Sequence, residues 1–357
     1  VSESISADVG MQRAFLDAEG AVTAVGKILK QPDLAKTLKR VALGGADAFY
    51  RGDIARAISD DMDHQGGFVT QQDLSEYQVL PGRYISFAYR DFTIHTLAAP
   101  AGGGLVAKAM MLLSYFDMTS LDDARWATTV SQALAISIES MSSNYYEKNL
   151  DELTDSKWAE RQSKRIFIPL ISQKNRISDN NKSLPPGTDW IGAPGAHTSH
   201  FATADCTGLT VSMTQTIGPI FGAKVATPEL GFAYAATMGG YLRTGLQNPG
   251  ERPRTSIAPV IVTQQNKVVM ALGAAGGIRI PSAFVQTLSR YIDQGKSLSE
   301  AVTAPRVHPL ATINKDNERV IDLSAFDVEM DGPGWDESDI LYWQNAGFKV
   351  NEISKSA

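Results

Sequence analysis

The chain has 357 residues, of which 43% are hydrophobic, so it is long enough to bury a large core. Its net charge of −6 and its pI near 5.5 argue against a nucleic-acid-binding protein, which would present a basic face. No apolar stretch approaches the roughly 18 residues that a membrane-spanning helix needs. A single cysteine excludes an internal disulfide, and this cysteine with five scattered histidines shows no metal-ligand spacing. We therefore expect a globular protein with no metal site and no cofactor.

The first part of the chain, to about residue 175, has the periodicity of a mainly helical region. Residue types that cap helices precede two short amphipathic runs. Further along, Leu, Met, Ile and Val recur at helical spacing, which is typical of helices that face a core. The predicted elements are a helix over 54–64 capped by Asp53, a short helix capped by Thr70 with Asp73, a hairpin over 84–89 and 92–97, and helices over 103–116 and 125–148.

Residues 176–197 are dominated by Asn, Ser, Asp, Lys, Pro and Gly, and this composition predicts a loop. The chain then becomes rich in strand-forming residues. A predicted strand over 267–274 leads through Gly276 and Gly277 into a predicted helix over 281–291. A mainly helical part is thus followed by a strand-rich part.

Two strand-like runs flank the motif Asp205-Cys206-Thr207-Gly208 and carry threonines at facing positions. Asp at the start of a type I turn and Gly in the left-handed position predict a three-residue loop with a bulge. Such a loop pairs Asp205 with Leu209, and an unbroken ladder then places Thr198 opposite Thr216. Directly opposed residues have Cβ atoms about 4.5–5.5 Å apart. A two-residue loop would shift the register by one residue and remove this pairing.

A threonine at the start of a strand becomes a nucleophile if the chain is cut before it. Cleavage between His197 and Thr198 would give Thr198 an α-amino group with a pKa of about 7.7–8, and the neutral amine can accept the hydroxyl proton. Thr216 would then orient the amine or the hydroxyl. A cross-strand threonine pair on a half-buried sheet explains the same residues without catalysis. His200 shares the face of Thr198, and we interpret it as structural because the free amine already supplies the base.

Six short segments lie in order along nearly the whole chain. They are Phe49-Tyr50-Arg51-Gly52-Asp53-Ile54-Ala55; Gly66-Gly67-Phe68 with Asp73-Leu74 and Tyr77; Ala99-Pro100-Ala101-Gly102-Gly103-Gly104; Thr198-Ser199-His200-Phe201; Gly276-Gly277; and Ala304-Pro305-Arg306-Val307-His308. Each segment alone has low specificity, whereas the ordered set is highly specific. Together they resemble the gamma-glutamyltransferase family of N-terminal nucleophile hydrolases.

The resemblance implies an α+β fold, a four-layer αββα sandwich of the N-terminal nucleophile hydrolase type. It also implies self-cleavage between His197 and Thr198. Residues 1–197 would then be the C-terminal part of the large subunit, ending in a flexible loop over about 176–197, and residues 198–357 the small catalytic subunit. The two subunits are expected to associate after cleavage. Because the chain starts with Val1 and the family's chains continue upstream, we expect the N-terminal part of the fold to be missing, together with the family's Arg for the substrate α-carboxylate.

The resemblance also assigns catalytic roles residue by residue. Thr198 matches the attacking nucleophile, and Thr216 matches the second threonine that supports it. Gly276 and Gly277 match the pair whose backbone N–H groups stabilise the oxyanion, a role that glycine suits because it allows close approach. A simple tight turn is the alternative explanation for such a glycine pair.

The substrate-binding positions match the family less well. Thr255 and Ser256 lie where the family has a Ser-Ser pair that binds the substrate carboxylate, although a helix or turn cap explains them equally well. Of the four polar residues that hold the glutamyl α-amino group in the family, only Glu229 is retained. The other three positions are Gly218, Thr237 and Gly240. Each lost charge-assisted hydrogen bond is worth on the order of 1.5–3 kcal/mol, so glutamyl binding is expected to be weakened.

Two classes of function are therefore predicted. The first is a threonine amidohydrolase that passes an acyl group through an ester on Thr198 to water or to an amine such as a dipeptide. Its substrate would be a gamma-glutamyl amide such as glutathione, or a related non-glutamyl amide. The second is an unprocessed binding protein on the same fold, against which the retained Thr198, Thr216, Gly276 and Gly277 argue. The expected partners are the small amide and its acceptor, with no nucleic acid and no membrane span; the compartment is not indicated.

Overall fold

The computed structural model describes residues 2–17, 19–140, 149–169, 182–183, 196–237, 250, 252–313, 319–330 and 335–353. The chain divides into two compact units. The first unit comprises Val1–Pro81 and Ile217–Thr237, and the second unit comprises Gly82–Thr216 and Met238–Ala357. The predicted division between residues 197 and 198 is different, because it follows a cleavage point rather than compactness. That division stays a prediction.

The first unit is helical, as predicted for this part of the sequence. Its helices span Ser2–Ser6, Val9–Phe15, Pro32–Tyr50 (with non-helical backbone at Gly45), Asp53–Gln65 and Gln71–Glu76. The predicted cap is confirmed at Thr70, where the hydroxyl accepts from the N–H of Asp73 and the Asp73 carboxylate accepts from the N–H of Thr70. The prediction for Asp53 was wrong, since Gly52 is the N-cap and Asp53 is the first helical residue. Asp53 instead forms an ion pair of 3.3 Å with Arg56 in the first turn.

The second unit contains two four-stranded sheets and a two-stranded hairpin in the described residues. The strands are β1 Tyr84–Tyr89, β2 Phe92–Leu97, β3 Lys182–Ser183, β4 Ala196–Ala204, β5 Thr210–Pro219, β6 Val260–Gln264, β7 Lys267–Leu272, β8 Val307–Ile313, β9 Arg319–Glu329 and β10 Lys349–Ile353. Strand β5 continues for three residues into the first unit. The first sheet has the antiparallel order β1-β2-β6-β7. The predicted hairpin of β1 and β2 is confirmed, with Tyr89 paired to Phe92 and a left-handed residue, Arg90, in the turn.

The second sheet is built around β9, which pairs with β10 in parallel and with β8 and β3 antiparallel. Its short strand β3 pairs Lys182 with Ile321 and Ser183 with Val320. The prediction of a loop over 176–197 was therefore wrong at two places, namely at β3 and at residues 196–197, which belong to β4. The rest of that loop lies outside the described residues.

The helices of the second unit pack against both sheets. The segment Gly103–Leu113 lies against β1 and β2, and Asp123–Glu139 lies against β8, β9 and the first of these helices. The other helices among the described residues are Leu150–Leu153, Ser156–Ser163, Ile280–Ile292, Leu298–Thr303 and Glu337–Asn345, with 3-10 turns at Met118–Ser120 and Gly277–Arg279. The predicted helices over 103–116 and 125–148 are confirmed with shifted ends, and residues 141–148 lie outside the described part. A mixture of helices and sheets is thus confirmed, and the four-layer order stays a prediction.

Buried polar contacts fix the helix Ile280–Ile292 against the first sheet. The hydroxyl of Tyr89 in β1 donates to the carboxylate of Asp293 at 2.6 Å, and both side chains are buried. The guanidinium of Arg90 binds the same carboxylate at 2.9 Å. These contacts set the position of the helix whose other end carries the glycine turn described below. Among the helices that the structure describes, none has both the length and the apolar composition of a membrane-spanning segment.

Candidate active site

The hairpin of β4 and β5 turns as its sequence predicts. The N–H of Asp205 donates to the carbonyl of Leu209 at 3.0 Å, and the N–H of Gly208 donates to the carbonyl of Asp205 at 3.1 Å. Gly208 has a φ of +91°, the left-handed region that favours glycine. The Asp205 carboxylate also accepts from the N–H groups of Thr207 and Leu209. These contacts confirm the predicted loop and its pairing of Asp205 with Leu209.

A side-chain contact shows that this register continues along the hairpin. The Nδ1 atom of His200 in β4 lies 2.8 Å from the hydroxyl of Thr214 in β5, as expected for residues that face one another. Two residues further along each strand are Thr198 and Thr216. Thr198, His200, Thr214 and Thr216 are all half-buried, whereas their neighbours Ser199 and Phe201 are exposed. An unbroken ladder therefore places both threonines on the half-buried face.

The glycine pair forms a sharp turn between β7 and the helix Ile280–Ile292. Gly276 and Gly277 have φ values of +125° and +59°, which residues with a side chain rarely adopt. They open the 3-10 turn Gly277–Arg279, which continues into the helix. Within the described residues, the N–H groups of Gly276 and Gly277 donate to no other group. Two N–H groups at the start of a helix are therefore available to an anionic oxygen.

Three segments that are distant in the sequence meet at this turn. The hydroxyl of Ser256 donates to the carbonyl of Gly277 at 2.5 Å. The backbone beside Ser256 is bound to the segment 99–104, because the N–H of Thr255 donates to Pro100 at 2.9 Å and the N–H of Gly102 donates to Ile257 at 2.8 Å. A β-carbon on Gly102 would lie 2.7 Å from the carbonyl oxygen of Ser256, so only glycine allows this approach.

The strand that carries Thr198 lies next to the same turn. Cα atoms of β4 come within 8 Å of Cα atoms of the 3-10 turn Gly277–Arg279. In addition, the imidazole of His200 lies directly on Gly273, where an added β-carbon would fall 1.7 Å from the ring atom Cγ. The structure therefore brings the strand of Thr198, the glycine turn and Ser256 together within the second unit.

The order of these landmarks corresponds to a known family. A family model described as gamma-glutamyltranspeptidase matches residues 1–327. The chain belongs to the gamma-glutamyltranspeptidase family. It is similar to the glutathione hydrolase proenzyme of Pseudomonas sp. (strain A14), with 32% identity over 311 residues that cover 79% of this chain and 52% of the relative.

Acylases are also similar to this chain. The acylase ACY 1 proenzyme of Pseudomonas sp. (strain V22) is 31% identical over 294 residues, which cover 79% of this chain and 50% of the relative. The crystal structure of a cephalosporin acylase from Bacillus halodurans has the same fold, with a TM-score of 0.75 at 21% identity over 94% of this chain and 58% of that chain. The chain thus spans about half the length of the curated relatives that it matches.

The gamma-glutamyltranspeptidase family holds the glutamyl α-amino group at four positions. Those of the four that the structure describes lie in the first unit. Glu229 has a φ of +70° and a side chain that is 75% exposed, 3.9 Å from the guanidinium of Arg13. Gly218 has a φ of +88°, and an added β-carbon would lie 3.2 Å from the carbonyl carbon of Ala236. Thr237 is half-buried, and Gly240 lies outside the described residues. The substrate-binding role of Glu229 stays a prediction.

Ser256 and Thr255 both use their hydroxyl groups in contacts within the protein. Ser256 is 9% exposed and uses its hydroxyl to hold Gly277, and the hydroxyl of Thr255 accepts from the N–H of Ile257 at 3.1 Å. Their role towards a substrate carboxylate stays a prediction, as does cleavage after His197, the second residue of β4. The thiol of Cys206 is exposed. The described residues contain no group of three or more His, Cys, Asp or Glu side chains that could hold a metal ion.

Two contacts at the site were missed by the sequence reasoning. They are the hydrogen bond from the Ser256 hydroxyl to the Gly277 carbonyl and the packing of the His200 imidazole against Gly273. A glycine inside the strand predicted over 267–274 was the signal for the second contact, because a glycine within a strand often marks the close approach of another group. Nothing in the sequence identifies which group approaches it.

Proposed function

We propose that this chain forms the catalytic part of a self-processing threonine amidohydrolase. The chain is cut between His197 and Thr198, and the freed threonine attacks the carbonyl carbon of an amide. Its Oγ forms an ester with the acyl group while the amine leaves with the hydroxyl proton. Water or an acceptor amine then attacks the ester and returns the proton to Thr198. The position of β4 beside the turn of Gly276 and Gly277 carries this proposal.

The half-buried face of the hairpin supports the role of the nucleophile. Thr198 shares this face with Thr216 and is partly shielded from water. A hydroxyl needs a base within hydrogen-bond reach, and the α-amino group of a freed Thr198 has this position by its covalent structure. Its pKa of about 7.7–8 leaves part of it neutral near physiological pH. The reaction therefore requires no charged side chain as its base.

The glycine turn supports the role of the oxyanion site. The N–H groups of Gly276 and Gly277 have no partner in the described residues and stand at the start of the helix Ile280–Ile292. Donors that are already oriented are worth most where negative charge develops, and a helix N-terminus adds to this effect. The contact of Ser256 with Gly277 keeps the turn in place before the substrate arrives. We therefore assign the tetrahedral intermediate's oxygen to these two N–H groups.

A gamma-glutamyl amide such as glutathione is the first candidate substrate, because a glutathione hydrolase proenzyme is among the relatives. A non-glutamyl amide is the second candidate. Gly218 stands where the family has an Asn, and its backbone approaches Ala236 so closely that a side chain would be strained. The group that would bind the α-amine is thus lost from this position. An acylase proenzyme of similar identity among the relatives is in line with this second candidate.

Two anilides that differ by one group distinguish these candidates. Gamma-glutamyl p-nitroanilide carries the α-amino group. Glutaryl p-nitroanilide lacks this group but keeps the carboxylate and the carbonyl of the anilide bond. The purified full-length protein is assayed with each, beside Thr198→Ala and beside Thr203→Ala, an exposed threonine of the same strand. We expect turnover of at least one anilide by the native protein and by Thr203→Ala, and none by Thr198→Ala. Equal release of p-nitroaniline by Thr198→Ala would contradict the proposed nucleophile.

A further inference from the structure

His200 occupies the same face of β4 as the proposed nucleophile. Side chains alternate between the two faces of a strand, so residues two apart point the same way. The burial pattern follows this rule, since Thr198 and His200 are half-buried while Phe201 is 45% exposed. The imidazole of His200 and the side chain of Thr198 therefore lie on the same face of β4.

The imidazole connects β4 to β5 next to the threonine pair. Its Nδ1 atom lies 2.8 Å from the hydroxyl of Thr214, which precedes Thr216 by two residues. This bond fixes the two strands one residue pair away from Thr198 and Thr216 on the same face. A different polar contact joins the hairpin to the first sheet. The hydroxyl of Ser212 in β5 donates to the carbonyl of Leu272 in β7 at 3.0 Å.

The same ring rests on the end of β7, just before the glycine turn. A β-carbon on Gly273 would lie 1.7 Å from Cγ and 2.0 Å from Nδ1 of His200. Real β-carbon atoms never come this close to another atom. The ring can therefore lie at this position only because residue 273 is glycine. Gly273 precedes Gly276 by three residues. One side chain therefore contacts the strand of Thr216 and the segment that leads into the oxyanion turn.

The chemistry of the ring favours a fixed, neutral group. Burial lowers the pKa of His200. Its Nε2 atom is buried and has no hydrogen-bond partner in the described residues, so a protonated ring would leave an uncompensated N–H at that position. Its Nδ1 atom is already engaged with Thr214. A neutral ring with one engaged nitrogen acts through its shape and its hydrogen bond, rather than by transferring a proton.

We propose that His200 is a positioning residue that sets the separation between Thr198 and the turn of Gly276 and Gly277. This inference rests on the proposed function of Thr198. The imidazole serves as a spacer between β4 and the end of β7, and its bond to Thr214 keeps β5 in register. A displacement of about 1 Å in such an arrangement costs roughly 100-fold in rate.

Three variants test this role in the full-length protein. His200→Ala removes the ring and the bond to Thr214, and Gly273→Ala displaces the ring without changing it. His200→Asn keeps a polar atom at the position of Nδ1 and loses the rest of the ring. We expect self-cleavage and kcat to fall roughly 10- to 100-fold in the two alanine variants, with KM nearly unchanged and partial rescue in the asparagine variant. His64→Asn, which changes an exposed histidine of the helix Asp53–Gln65, is the matched control.

The pattern of results separates this inference from the proposed function. A native chain that splits, with His200→Ala and Gly273→Ala splitting at the native rate and keeping the native kcat, overturns the role of His200 alone. Loss of the acidic limb of the pH–rate profile in His200→Asn also overturns it, because that result identifies a base. A native chain that stays whole overturns both proposals. If His200→Ala fails to fold, the rate of self-cleavage, kcat and the pH–rate profile of Gly273→Ala and His200→Asn decide whether His200 is a positioning residue.

Discussion

Substitution of Ser256 by alanine tests what holds the turn of Gly276 and Gly277 in place. Ser256 is 9% exposed, and its hydroxyl donates to the carbonyl of Gly277 at 2.5 Å. Alanine removes this bond without adding volume. The carbonyl of Gly277 keeps a second partner, the N–H of Ile280, so the loss is that of one net hydrogen bond. We expect the second unit to lose about 0.5–1.5 kcal/mol of stability.

The kinetic consequence depends on what Ser256 does. If it acts by holding the turn, a loss of about 1.4 kcal/mol in the transition state lowers kcat about tenfold and leaves KM nearly unchanged. If its hydroxyl instead binds a substrate carboxylate, as the resemblance implied, Ser256→Ala raises KM. The structure favours the first result, because the hydroxyl is buried and already donates to Gly277.

The stability of the second unit can be read selectively, because every tryptophan of the sequence falls within its residue ranges. Urea unfolding is followed by tryptophan fluorescence, and kcat and KM are measured with whichever anilide is turned over. Ser299→Ala, at an exposed serine of the helix Leu298–Thr303, is the matched control and is expected to behave as the native protein. A raised KM with native kcat and native stability would refute the argument that Ser256 acts through the turn.

Three further predictions use the same fluorescence assay. Gly277→Ala forces a side chain into a φ of +59°, so we expect a loss of about 1–2 kcal/mol and slower turnover, and native stability would contradict the strain argument. Tyr89→Phe removes the 2.6 Å bond to buried Asp293 and is expected to cost about 1–3 kcal/mol; an unchanged urea midpoint would show that this bond contributes nothing. Burial lowers the pKa of His200, so the unfolded chain, with a histidine pKa of about 6.5, binds the proton more readily. The contribution of His200 to the free energy of unfolding is fully present above about pH 6.5 and is lost as the pH falls towards the lower pKa of the folded state. We therefore expect His200→Asn to lose less stability than the native protein on acidification, and equal losses would contradict this assignment.

The parts of the fold that were predicted correctly depend on local chemistry. The turn of β4 and β5 follows from Asp205 and Gly208, whose side-chain acceptor and left-handed backbone act within five residues. The cap at Thr70 follows from a spacing of three residues. At Asp53 the same rule failed, because Gly52 takes the N-cap position and Asp53 enters the first turn, where a carboxylate is also favourable.

The parts that were missed depend on contacts between distant segments. Polar composition predicted a loop around Lys182 and Ser183, yet both residues pair with β9 and thereby gain ladder hydrogen bonds. Neither residue carries a strand signal of its own. The contact of His200 with Gly273 likewise joins residues more than seventy positions apart, so periodicity and turn chemistry could not identify it. The family resemblance supplied the candidate residues, and the structure supplied what holds them together.

Self-cleavage before Thr198 is tested most directly by the intact mass of the full-length protein beside that of Thr198→Ala. We predict that the native protein gives two fragments that meet between His197 and Thr198, while Thr198→Ala stays whole. The fragment masses identify the cleaved bond without any assumption about the substrate. A native chain that remains uncut, or a Thr198→Ala chain that is cut at the same bond, would contradict the claim that Thr198 is a self-released nucleophile.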